Sequence, residues 1–168
     1  RYSYTITGSG SYLYSHYSYR LYRGTLTSSG SNLCPTSVKN FYDSSMSYGY
    51  GMTAHPTNPN ELYFMSRGRN SIYKITVNSN GTGRTINWQK GRYGYNKTST
   101  ATQNYFYYPW GIHYDDDNDR LIVSGYNAKK IQVFDNDGVF IKDKGGTAAT
   151  TRMAAAHAAI KAIVTDSN

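Results

Sequence analysis

The middle of the chain combines positive charge with flat aromatic rings, which suits anionic or ring-shaped partners. No acidic residue occurs between Glu61 and Asp115. Cationic side chains attract carboxylates, sulfates and phosphates, and aromatic rings stack on sugars or bases. Acidic polysaccharide is a candidate partner, and a merely solubilising surface with interfacial tyrosines is the alternative; nucleic acid is less favoured, because no RRM or OB pattern is present. The predicted binding residues are Arg67, Arg69, Lys74, Arg84, Trp88, Lys90, Arg92, Tyr93, Tyr95 and Lys97.

A run of acidic residues at 115–119 is a candidate calcium site. Asp115, Asp117 and Asp119 alternate along this run, and carboxylate oxygens at alternate positions are ligands that calcium prefers. An EF-hand loop would need Gly and Glu where this chain has Arg120 and Tyr126. The alternative is a polar hairpin turn whose Asp side chains hydrogen-bond the local backbone.

The sequence contains none of the common catalytic motifs. It has no Gly-x-Ser-x-Gly nucleophile elbow and no glycine-rich phosphate loop, and Glu61 is the only glutamate. Cys34 is the only cysteine, which excludes a disulfide framework and a cysteine-ligated zinc or iron–sulfur site. These features favour a protein that is not an enzyme.

Composition and residue alternation predict an all-β chain. The chain has 168 residues, of which 19 are Tyr and 16 are Gly, and a formal net charge of +8. No apolar run approaches the roughly 20 residues that a membrane helix needs, so membrane insertion is not expected. Bulky and small polar residues alternate in segments such as 2–7 and 12–19, which is the period of a strand with one buried face.

Three similar units recur near residues 11–31, 51–82 and 111–140. Each unit contains up to three strands that end in a turn with glycine, and residues 83–106 are expected to form a long polar loop. Such units expose their edges and faces, and radial repetition as propeller blades is the usual way to cover them. The prediction is therefore about three propeller-like antiparallel blades in a domain that spans residues 1–146.

The third unit resembles an NHL-type β-propeller repeat, on the segments Pro109–Asp115, Arg120–Asn127 and Lys130–Phe140. The match is weaker over the first two units, and three blades are about half of a closed ring. Propeller lyases of similar type gather histidines around the central channel to bind zinc. The resemblance thus leaves a metal-dependent lyase or hydrolase as an alternative function, with His55 and His113 at nearly equivalent repeat positions.

The tail at 147–168 is rich in alanine and predicts one C-terminal α-helix that packs through an apolar stripe. Residues 151–164 resemble the first helix of von Willebrand A-type domains, notably in the type IV pilus tip adhesin family. That family places an Asp-x-Ser-x-Ser magnesium site before this helix. The resemblance implies Asp43, Ser45 and Ser47 as magnesium ligands, and a pilus-tip adhesin fragment as a further alternative.

Glycosylation signals and tyrosine content indicate where the protein works. Sequons at Asn80 and Asn96 favour an extracellular or cell-surface glycoprotein. Exposed tyrosine rings suit subunit interfaces or platforms on which sugars stack. The predicted function is a non-catalytic assembly or adhesion module of a surface structure, filament or pilus. It would bind itself, other subunits or anionic glycans; no cofactor is firmly predicted, and calcium and magnesium are the candidates.

Overall fold

The computed structural model describes residues 4–26, 35, 37–93, 105–126 and 130–145, and these residues are predominantly in β-strands. Short 3₁₀ turns occur at Ser44–Met46 and Asp116–Asn118. The strands are β1 (Tyr4–Ser9), β2 (Tyr12–Tyr17), β3 (Arg20–Thr25), β4 (Ser37–Tyr42), β5 (Gly49–Ala54), β6 (Glu61–Ser66), β7 (Ser71–Val77), β8 (Arg84–Lys90), β9 (Arg92–Tyr93), β10 (Tyr105–Phe106), β11 (Pro109–Asp115), β12 (Arg120–Gly125), β13 (Lys130–Asp135) and β14 (Phe140–Gly145).

Twelve of these strands form three antiparallel meanders of four strands each. Blade 1 contains β1 to β4, blade 2 contains β5 to β8, and blade 3 contains β11 to β14. Neighbouring strands are consecutive in the chain because short turns connect antiparallel partners. Strands β9 and β10 form a separate parallel pair.

The blades pack face to face, and their first strands are neighbours: β1 lies against β5, and β5 lies against β11. The core between blades 1 and 2 contains Tyr14, Leu21, Met46, Met52, Leu62, Phe64, Tyr73, Ile75 and Val77. The core between blades 2 and 3 contains Tyr63, Met65, Ile72, Phe106, Tyr114, Leu121, Val123 and Phe134. This radial stacking of four-stranded meanders is the arrangement of β-propeller blades.

Blade 2 has a neighbour on each face, so its central strands lose the alternation of exposed and buried residues. Every residue from Leu62 to Ser66 is buried. Strand β8 is the outer strand of blade 2 and is less buried: Ile86 packs against the core shared with blade 1 and Trp88 against the core shared with blade 3, whereas Thr85, Asn87 and Gln89 are exposed. Blade position therefore decides how apolar each strand is.

The all-β, blade-like fold is confirmed, with one correction to the strand count. Each blade has four strands rather than three, and the long polar loop expected at 83–106 begins with strand β8. The fourth strand of blade 1, β4, has mostly exposed side chains, so it lacks the apolar pattern that identifies a strand. The helix expected at 147–168 lies outside the described residues. Within the described ranges, no helix is long and apolar enough to cross a membrane.

Candidate binding surface

The starts of strands β5 and β11 share a short aromatic motif. Tyr48-Gly49-Tyr50-Gly51 precedes and opens β5, and Tyr108-Pro109-Trp110-Gly111 precedes and opens β11. Tyr48 and Tyr108 have positive φ angles of 49° and 53°, which bulky side chains rarely adopt. Each strand also begins with a shift in register. In both blades, therefore, the aromatic residues lie on a backbone that has a positive φ angle followed by a shift in register.

The turn between β6 and β7 holds both starts in place. The buried Asn70 Oδ1 accepts a hydrogen bond of 3.0 Å from the Tyr108 backbone N–H. The Arg67 backbone N–H donates to the Tyr48 carbonyl at 3.1 Å. Strained backbone persists only where its surroundings hold it, and this turn supplies those contacts to both tyrosines.

The Arg67 side chain lies at the centre of a ring cluster between blades 2 and 3. Its guanidinium carbon is 5.0 Å from the centre of the Tyr50 ring and 4.2 Å from that of Tyr108, and Nη1 donates to the Tyr50 hydroxyl at 2.7 Å. Trp110 lies 4.6 Å from Tyr50 and 5.3 Å from Tyr126, measured between ring centres. We call Tyr50, Arg67, Tyr108, Trp110 and Tyr126 the Arg67 cluster.

A second group of rings, the tyrosine trio, consists of Tyr19, Tyr42 and Tyr48. The Tyr19 ring centre is 5.8 Å from that of Tyr42 and 6.5 Å from that of Tyr48. Tyr42 and Tyr48 are 61% and 53% exposed, and Trp110 and Tyr126 of the Arg67 cluster are 47% and 41% exposed. Large rings that gather on a surface mark interaction sites.

Both groups lie at the same end of the blades, which we call the aromatic end. It comprises the β2–β3 and β6–β7 turns, the end of β12 and the starts of β5 and β11. The opposite ends of these strands are acidic. There the described residues include Glu61, Asp115, Asp116, Asp117, Asp119, Asp135 and Asp137. Arg84 and Arg120 also begin strands there, so this end carries most of the described carboxylates together with some cations.

Asp43 is the acidic residue adjacent to the tyrosine trio, and its carboxylate is already engaged. Oδ1 accepts from the Ser45 N–H at 2.8 Å and from the Ser45 hydroxyl at 2.7 Å, and Oδ2 accepts from Arg84 Nε at 2.5 Å. Burial alone would raise the pKa of this carboxyl, but the hydrogen bonds from Arg84 and Ser45 outweigh burial and hold it below its ordinary value. The third residue of the predicted magnesium site, Ser47, accepts a hydrogen bond from Ser66 through its backbone carbonyl.

Replacing Asp43 with Asn is expected to lower the free energy of unfolding by about 1–3 kcal/mol at pH 7, because a charged hydrogen-bonding partner of Arg84 is lost. The folded-state pKa of Asp43 is depressed, so its contribution is present above the unfolded pKa and disappears as pH falls through the folded value. Urea denaturation at pH 7 and at low pH measures this difference, with the exposed Asp137→Asn as the control. A rise in wild-type melting temperature with Mg²⁺, absent in Asp43→Asn, would instead support the magnesium site.

The predicted calcium residues lie in a 3₁₀ turn and contact their own neighbours. Asp115 accepts hydrogen bonds from Asn118 and from Arg120, the latter at 3.4 Å. Asp119 has a left-handed backbone and accepts a hydrogen bond from the Tyr114 hydroxyl. Asp117 is exposed in the same turn. No group of three or more His, Cys, Asp or Glu side chains suited to a metal occurs among the described residues.

The predicted binding residues do not form one surface. Arg67 is in the Arg67 cluster and Arg69 is exposed on the same turn, whereas Lys74 is buried between blades 2 and 3. Lys74 Nζ contacts Glu61 at 3.1 Å and Asn136 Oδ1 at 2.8 Å.

The other members of that predicted set are spread over the blades. Trp88 donates to the Asn136 carbonyl at 3.0 Å, Arg84 pairs with Asp43, and Lys90 lies near Gly138. Arg92 and Tyr93 form strand β9. Tyr95 and Lys97 lie outside the described residues, as does the sequon residue Asn96.

His55 and His113, the two histidines of the alternative enzyme hypothesis, have different surroundings. His55 Nδ1 accepts hydrogen bonds from the Thr57 and Asn58 backbone N–H groups, and the ring lies 5.3 Å from that of Tyr114. His113 neighbours Tyr114 on β11, so its side chain points to the opposite face of that sheet, where it is exposed. Burial is the main reason that the pKa of the Tyr114 hydroxyl is raised.

The aromatic end was not recognised as a site from the sequence. Its residues are separated by up to 107 positions, from Tyr19 to Tyr126, and strand packing brings them together. The detectable signal was the repeated motif of Tyr, any residue, an aromatic residue and Gly at 48–51 and 108–111. This repeat marks equivalent positions in blades 2 and 3.

No protein-family model matches the sequence, and no curated protein matches it at a significant level. The fold is similar to that in a nidogen/laminin complex, with a TM-score of 0.57 at 16% identity over 84% of this chain and 47% of that chain. The Myceliophteria thermophila Cps50 (Swd1) β-propeller domain gives a TM-score of 0.55 at 13% identity, covering 85% of this chain and 44% of that one. The chain therefore has a β-propeller-like fold and spans less than half the length of these structures.

Proposed function

We propose that this chain is a non-catalytic adhesion module that binds anionic glycans at the aromatic end of its blades, on a cell surface or in an extracellular fibre. The observation that carries this proposal is the exposure of Trp110 and Tyr126 in a cluster of rings that also contacts the Arg67 guanidinium, through Tyr50 and Tyr108. The principal described carboxylate near this end, that of Asp43, is paired with Arg84.

The Arg67 cluster has the properties of a preorganised binding site. Trp110 packs against Tyr50 and Tyr126, so little side-chain freedom is lost when a ligand binds. The C–H faces of sugar rings stack on such aromatic rings. A guanidinium has five N–H donors, of which Arg67 directs one to the Tyr50 hydroxyl, and a ligand carboxylate or sulfate is a suitable acceptor for the others.

Replacing Trp110 with Ala is expected to weaken binding to an acidic polysaccharide such as polygalacturonate about tenfold or more, since a stacked ring contributes about 1–3 kcal/mol. Calorimetric titration or affinity electrophoresis measures this loss. Val139→Ser is the control, because Val139 is equally open to solvent in a turn at the acidic end. Unchanged affinity in Trp110→Ala, or no wild-type binding to acidic glycans, would refute the proposal.

Self-assembly is a second candidate function, and it is supported by exposed apolar side chains on the outer face of blade 1. Ile6 and Val38 are 67% and 57% exposed, and both lie on the face of blade 1 that is turned away from blade 2. In blade 2 the equivalent face is covered by a neighbouring blade. Light scattering of the same wild-type samples, compared with Val38→Ser, tests whether copies associate through this face.

The NHL-type repeats, the von Willebrand A-type helix and glycosylation are also proposals. NHL-type repeats are supported by the motif segments in blade 3, and the von Willebrand A-type helix rests on residues outside the described part. Asn80 is exposed and its side chain accepts a hydrogen bond of 3.0 Å from the Thr82 N–H, so this sequon is accessible for glycosylation. The alternative of a metal-dependent lyase or hydrolase has less support, since His55 and His113 do not converge.

A further inference from the structure

We infer that the tyrosine trio and the Arg67 cluster form one continuous binding track, so that the ligand is an extended acidic polysaccharide that contacts both groups. This inference rests on the proposed function and names the ligand class more narrowly. A short sugar would occupy one group alone.

The two groups are joined at the start of strand β5. Tyr48 belongs to the trio and Tyr50 to the Arg67 cluster, and their Cα atoms are about 7 Å apart for two residues of extended chain. On one side, the Tyr42, Tyr19 and Tyr48 rings follow at steps of 5.8 and 6.5 Å. On the other side, Tyr50, Trp110 and Tyr126 follow at 4.6 and 5.3 Å. The rings therefore extend from β4 of blade 1 across blade 2 to the end of β12 in blade 3.

Both ends of this track are open to solvent. Tyr42 is 61% exposed at one end and Tyr126 is 41% exposed at the other. A single sugar is too small to contact both residues, because five successive steps separate their rings. A polymer can contact both, and the second contact then forms within an existing complex, which raises affinity without a stronger individual contact.

Each group also has its own cation, which favours an acidic polymer over a neutral one. Arg67 lies within its cluster, and the exposed Arg69 contacts the segment that follows Tyr42, donating from Nε to the Ser44 carbonyl at 3.2 Å. An open cleft of about 370 Å³ borders Tyr42 and is lined also by Phe41, Ser44, Thr82 and Arg84. The acidic residue of this cleft, Asp43, is neutralised by Arg84.

Chain-length dependence tests the track. Wild-type affinity for size-fractionated oligogalacturonates is expected to rise about tenfold or more once an oligomer reaches from one group to the other. Tyr42→Ala is expected to remove this rise with chain length, whereas Trp110→Ala weakens binding at every length. Val38→Ser is the matched control, because it changes an exposed residue of the same strand, β4, and melting temperatures verify that the variants fold.

The outcomes separate this inference from the proposed function. Binding that does not depend on length, or Tyr42→Ala that binds long oligomers as wild type does, would overturn the track and leave the Arg67 cluster as the glycan site. Equal length dependence for a neutral oligomer series of the same sizes would overturn the acidic part of the inference. Absence of wild-type binding at every length would refute the proposed function itself.

Discussion

Replacement of Arg23 by Met is expected to lower the free energy of unfolding by about 3 kcal/mol, because hydrogen bonds from a charged donor contribute about 1.5–3 kcal/mol each. Arg23 is 6% exposed in blade 1 and reaches into the β7–β8 turn of blade 2. Its Nη2 donates to the Ser79 carbonyl at 2.7 Å and its Nη1 to the Asn78 carbonyl at 3.1 Å. The guanidinium also lies 4.4 Å from the centre of the Tyr12 ring. Urea denaturation at pH 7 measures the loss.

Arg20→Met is the matched control for this prediction. Arg20 lies on the same strand and is exposed, and its Nη1 donates a hydrogen bond to Asn40 Oδ1 at 2.9 Å. Its removal is expected to change the free energy of unfolding by about 0.5 kcal/mol or less. Equal losses in the two variants would show that Arg23 does not join the blades.

A similar contact, from a buried cation of one blade to a turn of the next, occurs between blades 2 and 3. Lys74 is the repeat equivalent of Arg23 in the sequence, and its Nζ reaches Asn136 in the β13–β14 turn of blade 3. Trp88 and the Tyr63 hydroxyl contact the same asparagine. A buried cation of one blade thus holds the outer turn of the next blade, and this explains why Lys74 is unavailable as part of an exposed binding surface.

Replacement of Gly91 by Ala is expected to destabilise the fold by about 3 kcal/mol or more, through backbone strain and overpacking together. Gly91 has a φ of +101°, and a Cβ atom there would overlap the Phe106 ring and lie 2.9 Å from the Asn70 carbonyl oxygen. Because Asn70 also holds Tyr108, the Arg67 cluster should be loosened as well. Thermal unfolding and the aromatic circular dichroism signal measure the two effects, and a loss of soluble protein also agrees with the prediction.

Gly83→Ala provides the comparison for Gly91. A Cβ at Gly83 would meet only the end of the flexible Asn78 side chain, at 3.0 Å, and its φ is not positive. Removing a glycine where the backbone tolerates alanine is close to neutral or stabilises by up to about 1 kcal/mol. The prediction for Gly91 fails if both substitutions have the same small effect.

The strands that the sequence predicts are mainly those in which apolar residues occupy the positions that are buried in the structure. Residues 61–66 and 71–77 are almost continuously buried because blade 2 is covered on both faces, and most of their side chains are apolar. The outer strands β4 and β8 were missed, because most of their positions are at least partly exposed and carry polar residues. Their pairing with β3 and β7 depends on backbone hydrogen bonds, which the side-chain pattern does not encode.

The candidate site was predicted only in part for a related reason. Arg67 and Arg69 were included as binding residues, and the turn that carries them lies at the aromatic end. Lys74 is a cation like these two arginines, and Trp88 is an aromatic residue like those of the Arg67 cluster. Both side chains, however, point toward blade 3. Residue type alone does not distinguish a cation that faces solvent from one that joins two sheets.

By itself, the sequence determined that this chain is built from repeated β-strand units, since period-two alternation and the recurring segments are local properties that every copy shows. Only the tertiary structure decided which aromatic side chains lie together at the proposed binding surface. Tyr19 contacts Tyr48, and Tyr50 contacts Trp110, because the blades stack through their faces and place equivalent strand ends side by side. That stacking is governed by burial between sheets, which depends on contacts between residues far apart in the chain.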